Sequence, residues 1–261
     1  MNFYRLFILF FVFFINGLAT AVQARVFSFK DETFAAFFRG SYGLSQLGSS
    51  AFSESSGTAT TQFDKSVTYD LSGELGVIFS LQEKVNIRLG FEVIRPQVLQ
   101  GIVGRNASGT KYFDLNSTIL IVNPEMTFEI NVYRQPQSRL FVFAGAGISS
   151  LSIDNAYTMT SAGTSALGVG SHTEKIEASR VSATGGMGYE FQFADTVTAV
   201  LELGYRYLYV NEMKYKDAVT AITAPSAQKG DVVLNNSGTN RKLSLDSIYF
   251  GLSFRFYVPA F

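Results

Sequence analysis

The 261-residue sequence predicts an all-β fold: an eight-stranded antiparallel transmembrane β-barrel with short turns at one end and long loops at the other. Three observations predict it. Apolar and polar residues alternate in eight separate segments, the pattern of an extended chain with two unlike faces. The apolar face of those segments carries no charge, while the opposite face carries Arg, Asp and Glu. The connections alternate long and short without exception, which a barrel threaded through a membrane requires and a soluble meander does not.

The first segment, TFAAFFRGSYGL, sets Phe34, Ala36, Phe38, Tyr42 and Leu44 against Thr33, Arg39 and Ser41. VTYDLSGELGVIFS follows, with Val67, Tyr69, Leu71, Leu75, Val77 and Phe79 against Thr68, Asp70, Ser72 and Glu74. VNIRLGFEV sets Val85, Ile87, Leu89, Phe91 and Val93 against Asn86, Arg88 and Glu92. NPEMTFEINV sets Met126, Phe128, Ile130 and Val132 against Asn123, Glu125, Thr127, Glu129 and Asn131. In RLFVFAGAGIS the pairs Leu140/Val142 and Phe141/Phe143 compete, and the facing stays open. VSATGGMGYEFQF sets Met187, Tyr189, Phe191 and Phe193 against Thr184, Glu190 and Gln192. VTAVLELGYRYLYV sets Leu201, Leu203, Tyr205, Tyr207 and Tyr209 against Thr198, Glu202 and Arg206. SIYFGLSFRFYV closes the series, with Ile248, Phe250, Leu252, Phe254, Phe256 and Val258 against Ser247, Ser253 and Arg255. The short links are Ser80–Lys84, Tyr133–Arg139 and Ala194–Thr196; the long ones are Ser45–Ser66, Arg95–Ser117, Ser149–Lys175 and Asn211–Asp246.

The N-terminus reads as a secretory signal peptide over residues 1–24, with one cation, Arg5, then an apolar run from Leu6 to Ile15 and small residues with cleavage sites after Ala21 or Ala24. That run is shorter than the ~20 residues of a spanning helix. Residues 25–261 then form a single barrel domain. Without its signal the chain keeps 20 Lys and Arg against 21 Asp and Glu, so no charge balance points to nucleic acid. Cysteine is absent and His172 is the single histidine, which excludes disulfides, thiolate metal sites and histidine clusters. No cofactor is expected.

Which face meets water is decided by the cations. All nine lysines (Lys30, Lys65, Lys84, Lys111, Lys175, Lys214, Lys216, Lys229 and Lys242) fall in the expected loops, turns or terminal segment. The polar face uses Arg, whose planar fork satisfies a carboxylate in a confined space. The polar face therefore lines a narrow lumen and the apolar face meets lipid. Tyr42, Tyr69, Tyr207 and Tyr209 near the loops, and Phe79, Phe191 and Phe193 near the turns, match two interfacial girdles.

This pattern resembles the small outer-membrane β-barrel proteins of Gram-negative bacteria, the group of the OmpA barrel domain, OmpX and OmpW. The resemblance covers all of residues 25–261 and is architectural. It implies residence in the outer membrane among lipid and lipopolysaccharide. It also implies recognition by the barrel-assembly machinery through a C-terminal strand ending at Phe261, although the spacing in FGLSFRFYVPAF departs from the usual one and Pro259 interrupts it.

Counted inward from the turn end, Arg39, Glu74, Arg88, Glu129, Glu190, Glu202 and Arg255 form one layer of the lumen, and Asp70, Glu92, Glu125 and Arg206 form a second. In so narrow a space they must pair or change protonation. If the turn between the second and third strands pairs Phe79 with Val85, Glu74 lies diagonal to Arg88. The expectation is a plug of Arg–carboxylate pairs. SHTEK offers Ser171, His172 and Glu174 as the residue types of a Ser–His–acid relay, but a loop positions them poorly, and an ordinary solvated histidine is expected. Gly145–Gly147 and Gly185–Gly188 precede no helix and read as close-packed wall. AVTAIT in the last long loop alternates like a hairpin extending outward.

The sequence thus predicts a non-enzymatic integral outer-membrane barrel with a charge-plugged lumen, displaying loops for surface interaction or envelope integrity. A small pore or transporter for ions or apolar solutes is the alternative, and a lipid-modifying enzyme the third. The extracellular partner is not legible.

Overall fold

The computed structural model describes residues 29, 33–45, 62–63, 67–222, 224, 226–235 and 238–258. The signal segment, Pro259, Phe261 and most of the first long loop lie outside the described residues. The strands are β1 (Phe34–Ser45), β2 (Gln62–Phe63), β3 (Tyr69–Gln82), β4 (Val85–Pro96), β5 (Leu99–Arg105), β6 (Lys111–Gln135), β7 (Ser138–Met159), β8 (His172–Ala194), β9 (Val197–Tyr207), β10 (Tyr209–Val210), β11 (Lys214–Tyr215), β12 (Leu243–Ser244) and β13 (Ser247–Tyr257). One short helix, α1 (Ser161–Leu167), joins β7 to β8.

Eight of these strands close an antiparallel ring in the order β1, β3, β4, β6, β7, β8, β9, β13 and back to β1. A walk through paired residues leaves β1 at Ala35 and passes Ile78, Arg88, Thr127, Gly145, Thr184, Arg206 and Ser247. It returns to β1 at Ser45, ten residues further along. This stagger fixes a strand tilt of about 40° and an interior only wide enough for side chains.

The exterior is apolar. Leu75 is 56% exposed, Phe91 53% and Phe250 54%. Tyrosines ring the loop end, where Tyr42 stacks on Tyr69 with centroids 5.7 Å apart. Phenylalanines gather at the turn end, with Phe34 on Phe79 at 5.2 Å and Phe193 edge-on to Phe254 at 5.7 Å.

The long connections differ from expectation. β6, β7 and β8 run 25, 22 and 23 residues, far beyond the segments read from alternation. At ~3.3 Å per residue and the tilt above, β6 rises about 60 Å, twice the apolar band. Its outward residues change character on the way. Leu120, Val122, Pro124, Met126, Phe128, Ile130 and Val132 face out below, and Asp114, Asn116 and Thr118 face out above. Its inward residues change in the opposite sense, to Phe113, Leu115, Ile119 and Ile121. β7 inverts between Ile148 and Leu151, and β8 between Ser179 and Val181. Above the membrane, water surrounds the wall, so apolar residues turn inside. Lys111 and Lys175, read as loop lysines, sit in these extensions, and Lys214 lies in β11, paired to β8.

Two local readings are corrected and one left open is resolved. The β3–β4 turn pairs Gln82 with Val85 and carries an irregularity between Ser80 and Gln82, so Phe79 faces Ile87 rather than Val85. Arg88 therefore stands opposite Ile78, and Glu74 opposite Glu92. The open facing of β7 resolves with Phe141 and Phe143 inside and Leu140 and Val142 outside. The AVTAIT segment does turn back, with Val219 bridged to Ala227, but Ala221 and Ala227 are buried in an apolar core rather than projecting from the wall.

A charge on the outer wall tests this orientation. Leu75→Arg should cost about 2–4 kcal/mol in denaturant unfolding from lipid vesicles. Phe91→Cys, in a chain with no cysteine of its own, should resist membrane-impermeant maleimides.

Candidate functional site

Inward parity on the eight walls brings the lumen charges together as one column of ion pairs. At its outer end Arg206 contacts Asp70 at 3.3 Å and also reaches Glu92. Glu92 is shared with Arg39 at 3.1 Å, and Arg39 pairs across the β1–β3 ladder with Glu74 at 2.6 Å. Arg39 also holds Glu202 at 2.9 Å, and Glu202 accepts from Arg88 at 2.6 Å. Arg88 reaches Glu129 at 3.5 Å, and Arg255 bridges Glu129 at 2.7 Å to Glu190 at 2.8 Å. The column ends at Arg139, whose Nε donates to Glu190 at 2.7 Å. Five arginines thus serve six carboxylates, all of them buried. The two layers read from sequence are joined through Glu92.

Two residues stand apart from the sequence reading. Glu125 accepts from Asn123 at 3.2 Å and Thr127 at 2.8 Å, on its own strand, rather than from an arginine. Alternation puts Arg139 in a turn, yet it begins the inward row of β7 and closes the column. Its signal is present in the sequence: two inward phenylalanines follow at the same parity.

Those aromatics are the second component that periodicity misses. Arg39 and Arg206 lie over the Tyr249 ring at 5.3 and 5.2 Å. Arg88 lies over Phe143 at 5.3 Å, and Arg255 and Arg139 over Phe141 at 5.1 and 5.5 Å. Phe29 covers Arg139 from the turn end at 5.1 Å. A guanidinium stacked on a ring keeps attractive electrostatics where water is excluded. The rings fit because glycine faces them: a Cβ on Gly188 would come within 2.3 Å of Phe141, and one on Gly204 within 2.5 Å of Tyr249.

Above the column the walls enclose an apolar core that includes Leu115, Ile153, Ile176, Met213, Val233 and Leu243. The segment after β9 folds over it as a cap. Val210 pairs with Leu243, Lys214 with Glu177, and Leu234 with Asn240. α1 closes the β7–β8 link, started by Thr160, whose hydroxyl accepts from Gly163 N–H at 3.0 Å. Gly163 is obligatory, since its Cβ would fall 2.1 Å from the Tyr112 carbonyl oxygen.

His172 is not a solvated loop residue. It opens β8 opposite Tyr157, and the two rings stack with centroids 4.9 Å apart. Its side chain is 9% exposed. Nδ1 lies 2.8 Å from the Gly170 carbonyl oxygen, and Nε2 lies 3.7 Å from Glu174, which also faces the buried Arg241 of the cap at 3.5 Å. Ser171 Oγ accepts from the Met159 amide at 2.9 Å. Both ring nitrogens are turned to other oxygens, so the three residues do not form a relay that activates the serine. Burial opposes the charged ring, but Glu174 and the Gly170 carbonyl outweigh it and raise the His172 pKa above the usual 6.5.

A closed β-ring with an apolar exterior and a paired charged interior defines an integral membrane β-barrel. No family model matches the chain, and no curated protein matches it at a significant level. Among solved structures it is similar to the outer membrane protein OprG of Pseudomonas aeruginosa, with a TM-score of 0.47 at 10% identity over 90% of this chain and 100% of that one. It is similar also to a major outer membrane protein of Thermus thermophilus, with a TM-score of 0.48 at 10% identity over 85% and 99% of the two chains. Neisserial surface protein A gives 0.42 at 8% identity over 86% and 97%.

Two outcomes follow from this geometry. Arg255→Met takes from Glu129 its shortest arginine contact and leaves Glu190 with Arg139 alone among the column's arginines, and should cost about 3–5 kcal/mol in equilibrium unfolding; adding Glu129→Gln should restore part of the loss. For His172 the folded-state pKa lies above the unfolded one, so its stabilisation is complete below about pH 6.5 and is lost as pH rises through the folded value. Proteolysis within residues 211–246 should therefore quicken as pH rises above about 6.5, and His172→Gln should flatten that dependence.

Proposed function

We propose that this protein is a non-catalytic outer-membrane barrel whose lumen is closed and whose working surface is the extracellular head. One observation carries the reading: the unbroken ion-pair column from Asp70 to Arg139, stacked on inward aromatics across the lumen. A conduit needs a hydrated path, and the space such a path would use is taken by buried guanidinium and aromatic groups. The contact of His172 Nδ1 with the Gly170 carbonyl and the bonding of Ser171 Oγ to the Met159 amide support a non-enzymatic role. The head supports a role in surface interaction or envelope integrity, because a rigid scaffold of strand extensions fixes its outer loops in place.

Lipid and lipopolysaccharide surround the apolar band in this reading. Assembly is completed by pairing β13 to β1, and the barrel-assembly machinery is the partner for that step.

The test is electrical. Purified protein in planar bilayers should give no long-lived channels, and Arg88→Ala with Arg255→Ala should introduce flickering conductance. Stable, large conductance from the unaltered chain would overturn the closed lumen. Protease shaving of intact cells should cut within residues 46–66 and the cap while sparing all three tight turns.

A further inference from the structure

Where the outer wall changes from apolar to polar, across β6, β7 and β8, it holds a depression of about 530 Å³. Its floor is small. Ser150 and Ser152 of β7 and Ser179 of β8 point outward there, and the register sets Ser150 beside Ser179 and Ser152 beside Leu120. One side is apolar, made by Leu120 and Val122 at the top of the β6 lipid-facing row. The other side is built by the cap, which adds β11 to the edge of β8 and so brings Lys214 and Lys216 over the floor, with Arg180 below.

The charges in the depression are three cations and two carboxylates, Glu177 and Glu212. Glu212 lies 3.9 Å from Lys214. Lys216 is exposed, on the same loop. The net excess is positive, and hydroxyls line the base between that charge and the hydrocarbon-facing leucine and valine. At this height on a membrane protein the surroundings are neither water nor acyl chain but headgroups. An occupant must then be amphiphilic and anionic at the head, with hydroxyl or phosphate oxygens to meet serine and lysine donors and a chain to run down past Val122.

We infer that this depression is a binding site for a phosphorylated glycolipid of the outer leaflet, seated with its phosphate against Lys214 and Lys216 and an acyl chain against Leu120 and Val122. The inference rests on the membrane placement in the preceding reading and is independent of the closed lumen. A cap strand that carries two lysines to the interface then has a use besides covering the apolar core: it ties the head to the lipid surface.

The experiment uses the full processed chain in detergent micelles, supplied with either diphosphoryl lipid A or phosphatidylcholine, with bound lipid counted by native mass spectrometry. The unaltered protein should retain one lipid A with a preference of about tenfold or more over phosphatidylcholine. K214A/K216A should abolish that preference. S150W fills the floor without touching a charge and should reduce lipid A retention as well, while K111A, elsewhere on the head, should leave it unchanged. Equal retention of the two lipids by the unaltered protein would overturn the site, as would undiminished lipid A on both K214A/K216A and S150W. Channel recordings do not bear on this outcome, so failure here and failure of the closed lumen are told apart.

Discussion

A peptide group facing hydrocarbon has no water to bond, and every feature of this chain answers to that constraint. The wall must close so that no strand edge is left unpaired. Eight strands with a ten-residue stagger close it as a narrow cylinder. Any charge on a spanning strand must then point into that cylinder, where there is little room for water, so each needs a partner: an ion of opposite sign for most, and the Asn123 and Thr127 donors for Glu125. The ion-pair column follows from closure.

The column is better understood as a constraint on geometry than as a source of stability. Taking an arginine and a carboxylate out of water costs several kcal/mol per ion, and their attraction repays this only with good geometry. Here the geometry is shared: Glu202, Glu129 and Glu190 each serve two arginines at least, and the rings of Phe141, Phe143 and Tyr249 support the guanidinium planes. Some pairs bind neighbouring walls, as Arg39 does with Glu74, and others tie strands that are distant in sequence, as Arg255 ties β13 to β6 and Arg39 ties β1 to β9. A slip of any one wall by one residue would turn that strand's members of the column toward lipid and leave their partners unpaired. The network thus discriminates against wrong pairings of strands whose outer faces are much alike.

How much of this is legible in the sequence depends on what each signal measures. Alternation finds all eight walls and the inward parity of Arg39, Glu74, Arg88, Glu202 and Arg255, because parity is local. It fails where two faces are equally apolar, as at Leu140–Phe143, since only the partner strands decide which side packs. The β3–β4 register escapes it because an irregularity at Ser80–Gln82 leaves no mark in hydropathy. Arg139 is lost to a turn boundary. Tyr249 and Phe37 sit on the polar parity, where an aromatic reads as noise until an arginine is seen resting on it.

The long connections mislead for a deeper reason. The alternation rule of apolar side out holds only inside the bilayer. In DLNSTILIVNPEM the apolar parity passes from odd to even residues across Ile119–Val122, with both faces apolar at the crossing. The same reversal occurs on β7 and β8, in residues that the register sets side by side. Periodicity does not weaken there; its phase reverses, and a reversal shared by adjacent strands marks the height at which hydrocarbon gives way to water. One set of strands therefore builds two interiors, a charged one inside the membrane and an apolar one above it. The second interior is open at the top, which is why the segment after β9 must fold back as a cap, and in folding back it carries Lys214 and Lys216 to the boundary itself.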